Sequence, residues 1–243
     1  MTRQPRISFE FFPGRSEKSF AALHNAAAEL APAKPAFFSM PYGAGGSTPE
    51  KTIEAIRDVI SLTGLPVAGH LTCVGASKQA VDDVARQYWS LGVRHIVALR
   101  GDPPPESGQV FTPHPEGYRN AADLVAGLKK IEDFEISVAA YPETHPQAIS
   151  PEADLENLKA KIDAGATRAI TQFFFDPGVF LRFRDRVAAA RITAPVVPGI
   201  LPIASVEQAW KFAAMCGASV PGTLRSLLNG LDAQPDVRKL VTA

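Results

Sequence analysis

Eight polar residues stand at or just beyond the ends of short apolar runs: Glu10, His70, Thr72, Arg100, Asp102, Tyr141, His145 and Gln172. They include two carboxylates and two imidazoles but no cluster with metal-ligand spacing, so they suit proton transfer and the binding of a polar organic ligand. Glu10 lies in Phe9-Glu10-Phe11-Phe12. A carboxyl with apolar flanks loses hydration of its charged form, so its pKa rises and it keeps a proton, as a general acid must. The ordinary alternative is a structural glutamate paired with a basic residue. Arg100-Gly101-Asp102 runs into Pro103. Glycine there permits close backbone approach to a planar ligand, and the plainer reading is a turn with a salt bridge.

The other candidates carry similar alternatives. His70 in Gly69-His70-Leu71-Thr72 and His145 in Tyr141-Pro142-Glu143-Thr144-His145 could touch a ligand, although a lone histidine is more often a satisfied structural residue. Gln172 offers both a donor and an acceptor, or is a core amide bonded to backbone. Asp154, Asn157 and Lys161, three and four apart, share one face of a helix, where an ordinary ion pair on a solvated surface is the simpler expectation. Phe212 falls at a core-like position of a later helix, so packing is its default role.

These residues must be positioned by an alternation of strands and helices. Strand-like runs start near residues 7, 36, 67, 95, 135, 168 and 196, a repeat of about 30 residues. Between them lie helical patterns with clear opening signals: Ser16, Thr48-Pro49, Ser77, Ser150-Pro151, Asp176-Pro177 and a capping box Ser205-x-x-Gln208. Such a repeat predicts a (β/α)8 TIM barrel made as one domain over 1–243, with ligand groups at the C-terminal ends of the strands. A doubly wound open sheet uses the same alternation, but no G-x-G-x-x-G follows the first strand, and Gly43-Ala44-Gly45-Gly46 reads better as a turn. No eighth apolar strand is visible after Phe212, so the barrel is expected to lack its last βα unit in this chain. That would leave Ile7–Phe12 as an edge.

Composition removes other classes. The 243 residues carry 25 Lys+Arg against 25 Asp+Glu, a neutral balance that argues against nucleic acid as the main partner. Two cysteines, Cys73 and Cys216, cannot build a disulfide framework or a zinc site of their own. Neither a secretory h-region nor a membrane span is visible, which points to the cytoplasm.

The strings SFEFFPGR (8–15), GHLTC (69–73), RHIVALRGD (94–102), ISVAAYPETHP (136–146), DAGATRAITQFFFD (163–176), LRFRDR (181–186) and PGILP (198–202) resemble bacterial methylenetetrahydrofolate reductase, in order, across residues 7–241. The resemblance implies an FAD-containing barrel. Such an enzyme takes hydride from NADH or NADPH and reduces 5,10-methylenetetrahydrofolate to 5-methyltetrahydrofolate, feeding methionine synthesis. The two substrates use one flavin face in turn, a ping-pong scheme. By the same resemblance Glu10 is the general acid that opens the methylene bridge, and Asp102 is the acidic residue near flavin and pterin. Gln172, Gln208 and Phe212 are substrate contacts. His70, Leu99, Arg100, Gly101, Asp102, Tyr141, His145, Asp154, Asn157 and Lys161 are FAD contacts, with Lys161 near the pyrophosphate. The family forms oligomers, so a homo-oligomer is implied, and no metal is.

Three departures stand against the family pattern. Pro41 replaces a flavin-contacting threonine, Ala160 replaces a basic residue beside Lys161, and the loop from Pro103 to Asn120 is long. Weaker FAD retention follows. Two alternatives remain open on the sequence: a flavin-free folate-binding barrel, methyltransferase or lyase, and a non-catalytic remnant.

Overall fold

A computed structural model describes residues 5–14, 16–43, 48–103 and 111–242. Gly45 and Gly46 of the expected glycine turn, Arg15 of the first quoted string, and 104–110 of the long loop lie outside them.

Seven strands alternate with helices: β1 (Phe9–Glu10), β2 (Phe38–Met40), β3 (Val67–Thr72), β4 (His95–Leu99), β5 (Glu135–Ala140), β6 (Arg168–Phe173) and β7 (Val196–Gly199). The helices are α1 (Glu17–Leu30), α2 (Pro49–Thr63), α3 (Lys78–Ser90), α4 (Ala121–Ile131), α5 (Pro151–Asp163), α6 (Pro177–Ala189) and α7 (Val206–Cys216). After these come α8 (Gly222–Leu228), a 3-10 turn (Leu231–Ala233) and α9 (Pro235–Thr242). The sheet order is the chain order, β1 to β7, and the pairs β1–β2, β2–β3, β3–β4 and β6–β7 are parallel. This is an α/β fold of the (β/α)-barrel type with seven βα units, as the repeat implies. Among the described residues no eighth strand follows β7, in line with the expectation, and helical segments occupy that stretch.

Contacts divide the chain into two compact units, Met1–Ser137 and Val138–Ala243. In the first, β2 and β3 are buried almost throughout: Phe38, Met40, Ala68 and Leu71 are buried, as are Ile56 and Val59 of α2 and Tyr88 of α3. The pattern is a near-continuous apolar run, as strands buried on both faces require. β1 is shorter than the expected Ile7–Phe12. Its backbone bonds still run from the Ile7 carbonyl, which accepts from Ala36 at 2.8 Å, to the Phe11 N–H, which donates to Ser39 at 3.0 Å. Pro13 then has no N–H with which to continue the ladder. In the second unit β6 and β7 pair with a register shift between Ile170 and Phe173, where the Thr171 hydroxyl accepts from the Gly199 N–H at 2.9 Å. A Cβ at Gly199 would overlap the Thr171 carbonyl, so glycine is required there.

Each helix from α1 to α7 opens on a side-chain cap, in order Ser16, Thr48, Ser77, Asn120, Ser150, Asp176 and Ser205. The caps take up N–H groups that the first turn leaves unpaired and fix where each βα loop ends. The expected capping box at α7 forms by half. Ser205 Oγ accepts from the Gln208 N–H at 3.3 Å, while the return bond from the Gln208 side chain is absent among the described residues.

Candidate active site

In the first unit Glu10, His70, Leu99, Arg100, Gly101 and Asp102 stand at the C-terminal ends of β1, β3 and β4 or just beyond. β3 and β4 run in register, His70 opposite Val97 and Thr72 opposite Leu99. His70 is buried, and its Nε2 lies 3.5 Å from Glu10 Oε2. This is proximity without a formed bond, since Nε2 has no hydrogen-bond partner among the described residues. Burial, reinforced by the nearby His95, pushes the His70 pKa down to about 3. The imidazole is therefore neutral, and the pair with Glu10 is not an ion pair. The Glu10 carboxyl is raised above the usual carboxylate range by burial, although 52% of its side-chain surface is exposed. Surrounding protein displaces water around it without covering it, which makes the shift modest in energy. The direction is the one expected of a general acid.

Two features hold His70 in place. The Tyr88 hydroxyl donates to the His70 carbonyl at 3.0 Å, and Tyr88 itself is wholly buried. Gly69 makes room for that ring: a Cβ there would sit 2.5 Å from Tyr88 Cε2. Sequence reasoning does not single out Tyr88; its one signal in the chain is the glycine beside a candidate histidine, Gly69 before His70.

At the end of β4, Gly101 has φ +87°, and a Cβ there would meet Val74 Cγ1. The Arg100 carbonyl accepts from the Cys73 N–H at 3.2 Å and from its thiol at 3.4 Å. The Arg100 Nε donates to the Gly101 carbonyl at 3.3 Å, and its guanidinium lies 4.8 Å over the Phe111 ring. Asp102 is exposed. Where the resemblance marks a missing threonine, the buried Pro41 still offers a carbonyl, which accepts from Thr52 Oγ1 at 3.4 Å.

In the second unit the segment after β5 carries Tyr141 and His145, whose rings meet edge-on at 4.5 Å. Thr144 between them has φ +91°, a strained value for a non-glycine residue. Two carboxylates hold this turn. Asp154 of α5 accepts from the His145 N–H at 2.9 Å, and Glu143 accepts from the Ser219 N–H at 2.8 Å. Lys161, in the last turn of α5, is buried and donates to the Ala139 carbonyl of β5 at 2.7 Å. The three residues on that face are thus not a solvated surface ion pair: Asp154 braces the loop, Lys161 is a buried cation, and Asn157 is exposed.

Gln172, near the end of β6, is half-buried, and its carbonyl oxygen accepts from the Phe173 N–H at 3.0 Å. On α7, Gln208 is exposed and Phe212 is 42% exposed. The core position expected for Phe212 is therefore not observed. The buried positions of α7 are Val206, Ala209 and Ala213, and Phe212 falls outside that stripe.

Among the described residues no group of three or more His, Cys, Asp or Glu could hold a metal ion, and no helix is long and apolar enough to cross a membrane. The buried Nε2 of His70, without a hydrogen-bond partner among the described residues, suits a polar atom of an organic cofactor, and the buried Lys161 ammonium suits an anionic one.

The methylenetetrahydrofolate reductase family model matches residues 1–243. The chain is 50% identical to 5,10-methylenetetrahydrofolate reductase of Salmonella typhimurium over 240 residues, covering 99% of this chain and 79% of that protein. It is 49% identical to the Escherichia coli enzyme of the same name, with the same coverage. Among solved structures, a Clostridium thermocellum protein described as binding two copies of 5-methyl-5,6,7,8-tetrahydrofolic acid aligns with TM-score 0.65 at 15% identity, over 97% of this chain and 80% of that one. Phosphonopyruvate hydrolase aligns with TM-score 0.54 at 14% identity, over 97% of this chain and 92% of that one. At those identities the two structures support the fold alone. With a family model spanning its whole length and relatives half identical to it, the chain belongs to the methylenetetrahydrofolate reductase family.

Proposed function

We propose that this oxidoreductase acts as a single catalytic domain in the cytoplasm. It reduces 5,10-methylenetetrahydrofolate to 5-methyltetrahydrofolate at the expense of NADH or NADPH, with FAD as the bound cofactor, and so supplies methyl groups for methionine synthesis. The observation that carries this reading is the Glu10–His70 pair: a carboxyl with a raised pKa beside a buried, neutral imidazole whose Nε2 has no hydrogen-bond partner among the described residues. FAD, when bound, carries hydride from the nicotinamide to the folate, and the two substrates take turns.

The chain's own residues have simpler tasks. Glu10 holds the proton that the leaving methylene-bridge nitrogen requires, so it must be un-ionised when folate arrives. The raised pKa supports that state. His70 cannot compete for the proton, because its own pKa is far below neutrality. We assign His70, Leu99, Arg100, Gly101, Asp102, Tyr141, His145, Asp154, Asn157 and Lys161 to cofactor binding, with Lys161 supplying positive charge to a phosphate. Gln172, Gln208 and Phe212 are assigned to folate. The exposure of Gln208 and Phe212 supports that assignment, since neither is used up in the core.

The test is a split of half-reactions. The purified protein should show flavin absorption near one FAD per chain. Glu10→Gln should retain FAD and still oxidise NADH with an artificial acceptor, while methylenetetrahydrofolate reduction falls by at least the ~10²-fold typical of a lost acid–base group. Equal loss in both half-reactions would assign Glu10 a structural role instead, and a flavin-free protein would refute the cofactor.

A further inference from the structure

The N-terminus of α7 is held by a residue far along the chain. Asp232, in the 3-10 turn after α8, accepts from the Val206 N–H through Oδ1 at 2.8 Å. Its Oδ2 accepts from the Glu207 N–H at 2.9 Å and from the Ser205 hydroxyl at 3.2 Å. Ser205 Oγ in turn accepts from the Gln208 N–H at 3.3 Å. The first three N–H groups of α7, which the helix itself cannot pair, are thus all taken by the Asp232–Ser205 couple. The carboxylate also sits where the positive end of the helix dipole favours it.

The clamp is itself braced. Arg238 of α9 donates to Asp232 Oδ1 at 2.8 Å and is largely covered. Leu231, next to Asp232, packs with Val206 and Leu228 in a small separate core, joined by Ile203, Trp210 and Leu224. Gly230, with φ +76°, turns the chain so that Leu231 points inward while Asp232 reaches the helix end. Bonds to the N–H groups of Val206 and Glu207 and to Ser205 at its start fix both the tilt and the rotation of α7.

We propose that Asp232 is a positioning residue for substrate binding: it sets the orientation of α7 and with it the side chains of Gln208, bonded through its N–H into the clamp, and Phe212, one turn further on. This rests on the reading above that these two side chains meet the folate. The polar partners of Asp232 among the described residues are Ser205, Val206, Glu207 and Arg238 and include neither of those side chains, so its effect on binding is indirect.

The experiment compares Asp232→Ala, Asp232→Asn and Arg238→Met with Gln208→Ala and Phe212→Ala, all in the full chain. Asp232→Ala should raise KM for methylenetetrahydrofolate roughly tenfold, the size of a lost charged cap, with kcat within about twofold. FAD content and NADH oxidation by an artificial acceptor should not change. Hydrogen exchange of the 205–209 amides should quicken in the same variant. Asp232→Asn, which keeps one acceptor oxygen, and Arg238→Met, which leaves the bonds to α7 in place, should give smaller rises in KM. Where Asp232→Ala does not fold, the graded pair of milder variants reads the same effect.

An unchanged KM in the Asp232 variants, with Gln208→Ala or Phe212→Ala raising it, would overturn the positioning role while leaving the folate reading intact. Unchanged KM in Gln208→Ala and Phe212→Ala would overturn both. Parallel losses of flavin, both half-reactions and KM in every Asp232 variant would mean that the clamp serves folding alone.

Discussion

Gly69→Ala should be far costlier than one methyl group suggests. The new Cβ would fall 2.5, 2.8 and 2.9 Å from three ring atoms of Tyr88. That ring is fully buried, so it has nowhere to retreat. Gly69 itself is pinned in β3, opposite Met40 of β2 and Ile96 of β4, both wholly buried. Overpacking of this kind costs about 1–3 kcal/mol. If the ring moves, its hydroxyl loses the 3.0 Å bond to the His70 carbonyl, worth about 1 kcal/mol more. The sum, about 2–4 kcal/mol, corresponds to a fall in Tm of roughly 5–15 °C for a chain of this size. Thermal unfolding by circular dichroism, with FAD matched between samples, gives the number. Tyr88→Phe, which removes the hydroxyl alone, should cost only about 0.5–1.5 kcal/mol. The combination Gly69→Ala with Tyr88→Leu should recover part of the loss, because the two sites are in contact and their effects do not add. A Gly69→Ala protein within about 0.5 kcal/mol of the parent would show that β3 and α3 separate easily, and that the support assigned to His70 is not there.

Lys161→Met keeps the aliphatic stem but removes the ammonium that donates to the Ala139 carbonyl. Stability should fall by about 1–3 kcal/mol, and FAD affinity of the apoprotein should fall by at least tenfold, as fluorescence titration would show; unchanged affinity would remove Lys161 from the cofactor. For Glu10, whose folded pKa is raised by burial, the folded state holds the proton more tightly than the unfolded chain. The stability this gives is complete below the ordinary carboxyl pKa and is lost as pH rises through the raised value. Glu10→Gln should therefore melt higher than the parent at pH 7–8 and equal to it at the acidic end of the range, measured as Tm against pH, and a variant that melts lower at pH 7–8 would contradict the shift.

Much of the fold is legible in the sequence because its signals are local. Thr48-Pro49 and Ser150-Pro151 combine a cap with a proline whose fixed φ suits the first turn, and α2 and α5 begin at those prolines. Ile53, Ile56 and Val59 form the buried stripe of α2 as their spacing demands. Strand ends are less legible. Ladder pairing depends on the neighbouring strand, so β6 stops at Phe173 and β7 at Gly199, short of the apolar runs that suggest them. The site is legible where side-chain type and strand position coincide, as for Glu10 and His70. It is not legible where the deciding fact is a tertiary contact. Phe212 has core spacing yet lies outside the stripe that α7 buries, and Lys161 has the spacing of a surface cation yet is covered. Thr144 gives no sign in one dimension of its positive φ.

Asp232 shows why such contacts escape a sequence reading. Six of the seven caps on α1 to α7 are completed within three residues of the helix start, so each can be found from a short window of sequence. At α7 the local signal, Ser205-x-x-Gln208, is present but supplies only one of the three acceptors that the first turn needs. The other two come from a carboxylate 25 and 26 residues away along the chain. The Gln208 side chain, folded back, would complete the capping box by accepting from the Ser205 N–H. That bond would tie down the side chain proposed to meet the folate and would still leave the Val206 and Glu207 N–H groups without an acceptor. Asp232 takes those two, so the helix end is held by a long-range contact while the Gln208 side chain is exposed. The KM of the Asp232 variants measures how far the placement of that side chain depends on the clamp.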